Sequence, residues 1–223
     1  DNNVNVGTVP MPLDYPLTIS AWIQRDSALA PSAVHHGGQQ AIFAASGGWQ
    51  LALSTAAEIR FEEAGTGTSV QSTTTIEDTN WHHLVVTVNT SNLVSYYLDG
   101  VALDTDTYDN DIVAGKTWYI GQAGSSNGYF GGIIDEMSVW NDDLSLAEIQ
   151  ELFNSGVALD ATDHSKVANL VGYWRNDGIT TWTDRSTNSN HGTVAGSPES
   201  IVVREGLNTD KDGLGFPFKN AEK

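Results

Sequence analysis

Apolar and polar residues alternate in short runs along most of the chain, and an alternation of period two predicts strands with one face in a core. The clearest run is Leu17 to Gln24, in which every second residue is apolar. Asp99-Gly100 predicts a tight hairpin between two further runs. The pattern predicts strands over residues 1–7, 17–24, 41–45, 49–53, 58–62, 69–75, 81–89, 93–98, 101–103, 118–121 and 133–140.

A different period begins after Asp142-Asp143, where the last of these strands ends. Ser145 and Glu148 have the spacing of a capping box, and the apolar residues after them recur at helical spacing. Gly156 supplies a helix stop. We therefore expect an all-β protein, a sandwich of two antiparallel sheets with one short helix lying across an edge.

Alternation and the helix face also predict the core. We expect one core, between the sheets and under the helix, formed by Trp81, Val86, Leu98, Ile120, Ile134, Trp140 and Leu152.

Composition and charge limit the classes of molecule that the protein is expected to bind. The chain has 223 residues, enough for one large β-domain with a sizeable core, and a formal net charge of −18 at pH 7. Such a charge repels phosphates, so we expect no nucleic-acid partner. The chain has no cysteine, and its apolar runs are shorter than the roughly 20 residues of a membrane span. It starts abruptly at Asp1, and we expect residues to precede it.

Catalytic patterns are missing from the sequence. Glycoside hydrolysis needs two carboxylates facing one cleft. Glu58 and Glu62 share a strand face, but four residues of a strand span about 13 Å, which is too far. Asp135 and Glu136 are adjacent and are expected to point to opposite faces. The sequence has neither a G-x-S-x-G elbow nor a phosphate-binding loop, so we expect no enzyme activity.

Several motifs in a fixed order carry a family resemblance. They are YPLTISAWIQ, WHHLVVTVN, YYLDGVALDT and YIGQAGSSNGYFGGIIDEMSVWNDDLSLAEIQELFNSG. Together they resemble the laminin-G-like domains of the concanavalin A-like superfamily, close to pentraxins, over roughly residues 1 to 156. The resemblance implies a jelly-roll sandwich, and it implies fold more firmly than function, because members bind glycans, proteins or calcium or hold other domains in place.

Residues 167–196 depart from the family order. LVGYWRNDG and TWTDRSTNSNHGTV resemble text that stands before the sandwich in many laminin-G-like proteins. One interpretation is a permuted sandwich, spanning residues 1–196, whose first strands have moved to the end. The alternative is the start of a second repeat.

Residues 197–223 form a separate C-terminal segment, with a predicted strand and an apolar tail. This segment is similar to the one that comes after laminin-G-like domains in structural proteins of marine bacteriophages. The resemblance implies a virion structural or decoration protein on the virion surface, whose partners are other virion or surface-assembly subunits and host glycans. The alternative is a glycan- or protein-binding module of a secreted or cell-surface bacterial adhesin.

Calcium is the one cofactor that the residues suggest. Asp184, Asn188 and Asn190 present side-chain oxygens, which calcium prefers. The alternative is a turn in which these side chains bond their own backbone. The acidic run from Asp104 to Asp111 has two interpretations, a calcium site or an exposed strand edge or loop.

Overall fold

The computed structural model describes residues 2–8, 16–28, 39–46, 48–63, 69–108, 116–123 and 128–196. Within these ranges, antiparallel strands form two sheets that pack face to face, as the alternation predicts. The larger sheet contains, in spatial order, β13 (Thr181–Trp182), β14 (Gly192–Ala195), β1 (Asn3–Thr8), β10 (Thr117–Ile120), β3 (Gln40–Ala45), β4 (Trp49–Leu53), β5 (Glu58–Glu63) and β6 (Ser69–Thr75). The smaller contains β12 (Leu170–Trp174), β11 (Gly132–Trp140), β2 (Leu17–Arg25), β7 (Trp81–Val88), β8 (Leu93–Leu98) and β9 (Val101–Thr107).

One α-helix, α1 (Leu146–Phe153), lies in the described part of the chain and comes after β11. Glu148 accepts hydrogen bonds from the backbone N–H and the hydroxyl of Ser145, each at 2.7 Å, so the predicted capping pair forms. Asn154 and Ser155 end the helix in the left-handed region, followed by Gly156. Short 3-10 turns at Asn154–Gly156, Ala161–Asp163 and Val167–Asn169 lead to β12.

The main core lies between the two sheets. Its centre is aromatic: the ring centroids of Trp49 and Trp118 are 4.6 Å apart, and those of Phe43 and Trp118 are 5.1 Å apart. All three side chains are fully buried. They come from β3, β4 and β10, so the larger sheet supplies the aromatic centre of the sandwich.

A second core lies on the other side of the six-stranded sheet, under α1. Trp140 and Leu152 belong to it, whereas Val86, Ile120 and Ile134 belong to the main core. The expectation of one shared core was therefore wrong, because the sheet itself separates the two sets. Trp81, expected in that core, is partly exposed at the start of β7, and Leu98 packs against the main core from its margin.

Residues 170–195 contribute strands to both sheets. In the smaller sheet, β12 pairs with β11, and in the larger sheet β14 pairs with β1, placing Ala195 opposite Asn3. These pairings join the end of the described chain to its beginning. The permuted interpretation and the boundary at residue 196 stay predictions, and residues 197–223, with their predicted strand and apolar tail, lie outside the described residues.

Candidate functional site

The outer face of the eight-stranded sheet carries side chains that line up across five neighbouring strands. Adjacent residues of a strand point to opposite faces, so the residues between the core positions point outward. The strand registers pair these outward residues with one another from β1 to β5. We call this set the outer-face row; it comprises Asn5, Tyr119, Ala44, Gln50 and Glu62.

Small side chains form the centre of this face. Ala44 and Ala52 are fully buried, and Ala44 stands between Tyr119 on β10 and Gln50 on β4. Ala44 therefore places the smallest side chain of the row at its centre, and Gln50 and Glu62 beside it are also buried, at 3% and 7% exposure. The ring of Tyr119, which is partly exposed, borders Ala44 on one side and offers an apolar surface with a hydroxyl at its tip.

Polar atoms of the row are only partly satisfied. The Gln50 Nε2 donates to Glu62 Oε1, and Arg60 Nη2 lies 2.7 Å from Glu62 Oε2. Gln50 Oε1 and Arg60 Nε are both buried without a hydrogen-bond partner. An unpaired buried polar atom costs about 1–3 kcal/mol, so a ligand that pairs both atoms would gain from the contact. One acceptor and one donor, on diagonally neighbouring positions of β4 and β5, match hydroxyl groups, which can donate and accept.

The row carries a single carboxylate, that of Glu62. The nearest carboxylate on the same strand face, Glu58, is held by the hydroxyl of Ser54 and the amide of Gln71, each at 2.9 Å. Retaining and inverting glycosidases both need a second carboxylate beside the first. The arrangement is thus suited to hydrogen bonding rather than to acid–base chemistry. The row has no signal in the sequence, because its members come from five strands and only the registers bring them together.

A covered polar cavity lies on the opposite side of the molecule, beneath α1. It has a volume of about 10 Å³ and is lined by residues that include Ser20, His83, Glu136 and Tyr173. Ser20 Oγ lies 2.8 Å from His83 Nε2, a nucleophile–base geometry, but His83 Nδ1 has no partner to orient it. Burial lowers the pKa of His83 to about 4. The space admits about one water molecule, so the pair is part of the packing under the helix.

A buried ion pair adjoins this cavity. Arg175 Nε lies 2.7 Å from Glu136 Oε1, and the hydroxyl of Tyr173 donates to Glu136 Oε2. Burial raises the pKa of Glu136 well above its usual range, the neighbouring Asp135 adds to the rise, and Arg175 opposes it. Glu136 adopts a positive φ of 48° at an irregularity in the pairing of β11 with β2. The Glu136 carboxylate therefore lies on the outer face of the smaller sheet, where it lines the cavity. Strict alternation along β11 would have turned it toward the core.

His82, adjacent to His83 in sequence, is bound at both ring nitrogens. Its Nδ1 lies 2.8 Å from Asp99 Oδ2 and its Nε2 lies 3.0 Å from Asp78 Oδ1. The hydrogen bond to Asp99 is the main cause of a raised pKa of His82, and the contact with Asp78 adds to the rise. The cluster ties the β8–β9 turn to the start of β7.

The residues predicted to bind calcium lie beside β12. Asp184 is buried, and its carboxylate accepts hydrogen bonds of 2.7–2.9 Å from the backbone N–H groups of Tyr173, Ser186 and Asn190. The Asn188 amide donates to a carbonyl of β12 at 2.8 Å. The side chains of Asp184 and Asn188 thus already have structural roles in a turn anchored to the sheet edge, and Asn190 takes part through its backbone. The calcium site stays a prediction.

The acidic run has a structural contact at its start. Asp104 accepts hydrogen bonds from the backbone N–H and hydroxyl of Thr73 at 2.7 and 2.8 Å, which ties β9 to β6. Residues 109–111 of the run lie outside the described residues. In the part of the chain that the structure describes, no group of three or more His, Cys, Asp or Glu side chains is arranged to hold a metal ion. Among the described helices, none is long and apolar enough to cross a membrane.

Comparison with known protein families identifies the superfamily to which the fold belongs. A family model described as the concanavalin A-like lectin/glucanases superfamily matches residues 1–150. A comparison with curated proteins finds none that matches.

Solved structures share the fold at low sequence identity. A candidate carbohydrate-binding protein of Bacteroides ovatus is 16% identical, with a TM-score of 0.66 over 88% of this chain; the chain spans 56% of that protein's length. The CBM40 of the Ruminococcus gnavus IT-sialidase is 16% identical, with a TM-score of 0.51, over 63% of this chain and 83% of its own. Domain 4 of AbnA, a GH43 extracellular arabinanase of Geobacillus stearothermophilus solved with arabinotriose, is 16% identical, with a TM-score of 0.50, over 64% of this chain and 68% of its own.

Proposed function

Because the chain belongs to the concanavalin A-like lectin/glucanases superfamily, we propose that it is a glycan-binding module without catalytic activity, and that the outer-face row is its binding site. Carbohydrate binding in structures that share this fold supports the role. A secreted or cell-surface location belongs to the same proposal, as for the extracellular arabinanase.

The observation that carries the proposal is the pair of unpartnered atoms, Gln50 Oε1 and Arg60 Nε. Sugars present dense hydroxyl groups on one edge and apolar C–H faces on the other. The row and the adjoining Arg60 offer hydrogen-bonding atoms, and Tyr119 offers an aromatic ring on the other side of Ala44. Specific sites of this kind combine a few placed polar groups with apolar or aromatic surface.

The polar groups of the row and of the cavity under α1 also favour a role without catalysis. Glu62 is the only carboxylate of the row, and Arg60 and Gln50 already bind it. The buried Ser20–His83 pair lacks an orienting group and lies beneath α1. Neither arrangement provides a matched pair of catalytic groups.

The virion role predicted from residues 197–223 stays a prediction. Those residues lie outside the described ranges, and the glycan-binding alternative is the one that the similar structures support. Host-surface glycans are common to both interpretations, so a binding measurement bears on both.

Calorimetric titration of the full chain tests the proposal, with lactose, cellotriose and arabinotriose as probes. Gln50→Ala should weaken binding of a recognised sugar at least about tenfold, since it removes a hydrogen bond and a support of Glu62. Gln24→Ala is the matched control, because Gln24 faces outward on the other sheet and donates to a backbone carbonyl at 2.9 Å. Unaltered melting of both variants establishes folding.

Two results would refute the proposed site. One is the absence of binding to every sugar by the wild-type chain. The other is equal loss of affinity in both variants, which would place binding elsewhere or show a general effect on folding.

A further inference from the structure

The carboxylates of acidic glycans bind most strongly to a cation, and an arginine can form two parallel hydrogen bonds with one carboxylate. The described residues contain six Lys and Arg side chains: Arg25, Arg60, Lys116, Lys166, Arg175 and Arg185. Four of these are ion-paired with carboxylates: Arg60 with Glu62, Lys166 with Asp142, Arg175 with Glu136 and Arg185 with Asp177.

The other two cations do not provide an anion site at the row. Arg25 is buried and donates to the backbone carbonyl of Ile76. Lys116 lies one residue before β10, where its side chain runs beside Gly48 at the end of the sheet. A single ammonium at that position is three residues along the strand from Tyr119, which is about 10 Å.

The charge at the row itself opposes an acidic ligand. Arg60 is the cation next to the row, and Glu62 neutralises it at 2.7 Å. A ligand carboxylate near Arg60 would also lie near the Glu62 carboxylate, and like charges at this distance repel. The formal net charge of −18 adds a repulsive field around the whole molecule.

Resting on the proposed function, we propose that the outer-face row selects uncharged glycans and rejects glycans that carry sialic or uronic acids. Neutral sugar hydroxyls can donate to Gln50 Oε1 and accept from Arg60 Nε, the two buried atoms that lack partners. A carboxylate can only accept, so it leaves Gln50 Oε1 unpaired. This assignment departs from the Ruminococcus gnavus module, which has been solved with α2,3-sialyllactose.

Matched pairs of glycans test the selectivity, each pair sharing a backbone and differing in acidic groups. The pairs are lactose with α2,3-sialyllactose, and galactotriose with trigalacturonate, titrated into the full chain with chelator present and again with calcium. For any recognised backbone, the neutral member should bind at least about tenfold more tightly. The ratio should shrink as salt is raised, since salt screens the repulsion.

Glu62→Gln supplies the decisive variant. It keeps the shape of the side chain and removes the charge that neutralises Arg60, so the preference for the neutral member should fall several-fold. Glu58→Gln is the control, because Glu58 is bound by Ser54 and Gln71 rather than by a cation.

Each outcome decides a different claim. Equal or tighter binding of the acidic members, or no change of the ratio in Glu62→Gln, overturns the selectivity while leaving glycan binding in place. Loss of all binding in the wild-type chain overturns the proposed function as well.

Discussion

The buried ion pair under α1 predicts a large and pH-dependent effect of replacing Arg175 by methionine. Methionine is of similar length and carries no charge, so the change removes the Nε–Oε1 contact of 2.7 Å with little loss of volume. Glu136 is 5% exposed and Arg175 is 2% exposed, so water cannot take over the role of the guanidinium. The carboxylate keeps one hydrogen bond, from the hydroxyl of Tyr173.

Removing one partner of a buried ion pair costs about 3–5 kcal/mol, because it leaves the other charge uncompensated. We expect that loss of unfolding free energy near pH 7. Arg175 lowers the pKa of Glu136 against the effect of burial, so its removal should raise that pKa further. The unfolded glutamate has a pKa of about 4.3, so as the pH falls toward about 5 the folded variant binds a proton that the unfolded chain does not. The loss should therefore shrink with falling pH.

Urea unfolding at several pH values, followed by tryptophan fluorescence, measures the effect. Glu136→Gln is the paired variant; it should cost less, because Arg175 keeps Asp160 at 3.9 Å as a second carboxylate. A loss below about 1 kcal/mol in Arg175→Met, the scale of one ordinary hydrogen bond, would refute the reasoning. So would a loss that is the same at every pH.

Three further predictions concern the frame of the sandwich. Gly132→Ala should lower the unfolding free energy by more than the roughly 1–3 kcal/mol of a positive φ, since the added Cβ would lie 2.0 Å from a carbonyl oxygen of β2. Gly7→Ala is the control, because Gly7 also has a positive φ but has open space around it. Equal losses of unfolding free energy in urea titrations would contradict the clash. The raised pKa of His82 implies stability that is present below the unfolded value of about 6.5 and lost as pH rises through the higher folded value. His82→Gln should therefore flatten the melting profile above about pH 6.5, and an unchanged profile would exclude the cluster as its cause. Asp184→Ala should lower the melting temperature, because three backbone N–H groups lose their hydrogen-bond acceptor. If the predicted calcium site exists, calcium should raise the melting temperature of the wild type but not of this variant.

The sheet layout could be predicted where strands are half-buried and alternate cleanly. The strand predicted over residues 69–75 has those bounds in the structure, and α1 begins and ends near its predicted capping residues. Strand β9 continues to Thr107, beyond the predicted end at residue 103. The prediction stopped short because the second half of the strand is polar and lies at a sheet edge. Alternation of hydrophobicity does not mark such a strand, since neither face is in the core.

The candidate site could not be predicted, for a related reason. Gln50 and Glu62 are ordinary polar residues within alternating strands, and their proximity depends on the pairing of β4 with β5. Register is set by the core-facing residues and the turns, and a slip by one residue would turn these side chains inward. The same limit explains the expectation of a single core, since the sequence does not show that the outer face of the smaller sheet is covered by α1.

The place of β1 in the larger sheet links its folding to a strand that is synthesised much later. β1 is the first of the described strands to be synthesised, yet its neighbour β14 is the last of them, and β12, the outer neighbour of β11, also comes late. Contacts between such distant segments slow folding. Until both strands arrive, β1 and β11 are open edges that can pair with other nascent chains. A chain released early would therefore be prone to aggregate, and its cell would benefit from holding it on chaperones until residue 195 has emerged.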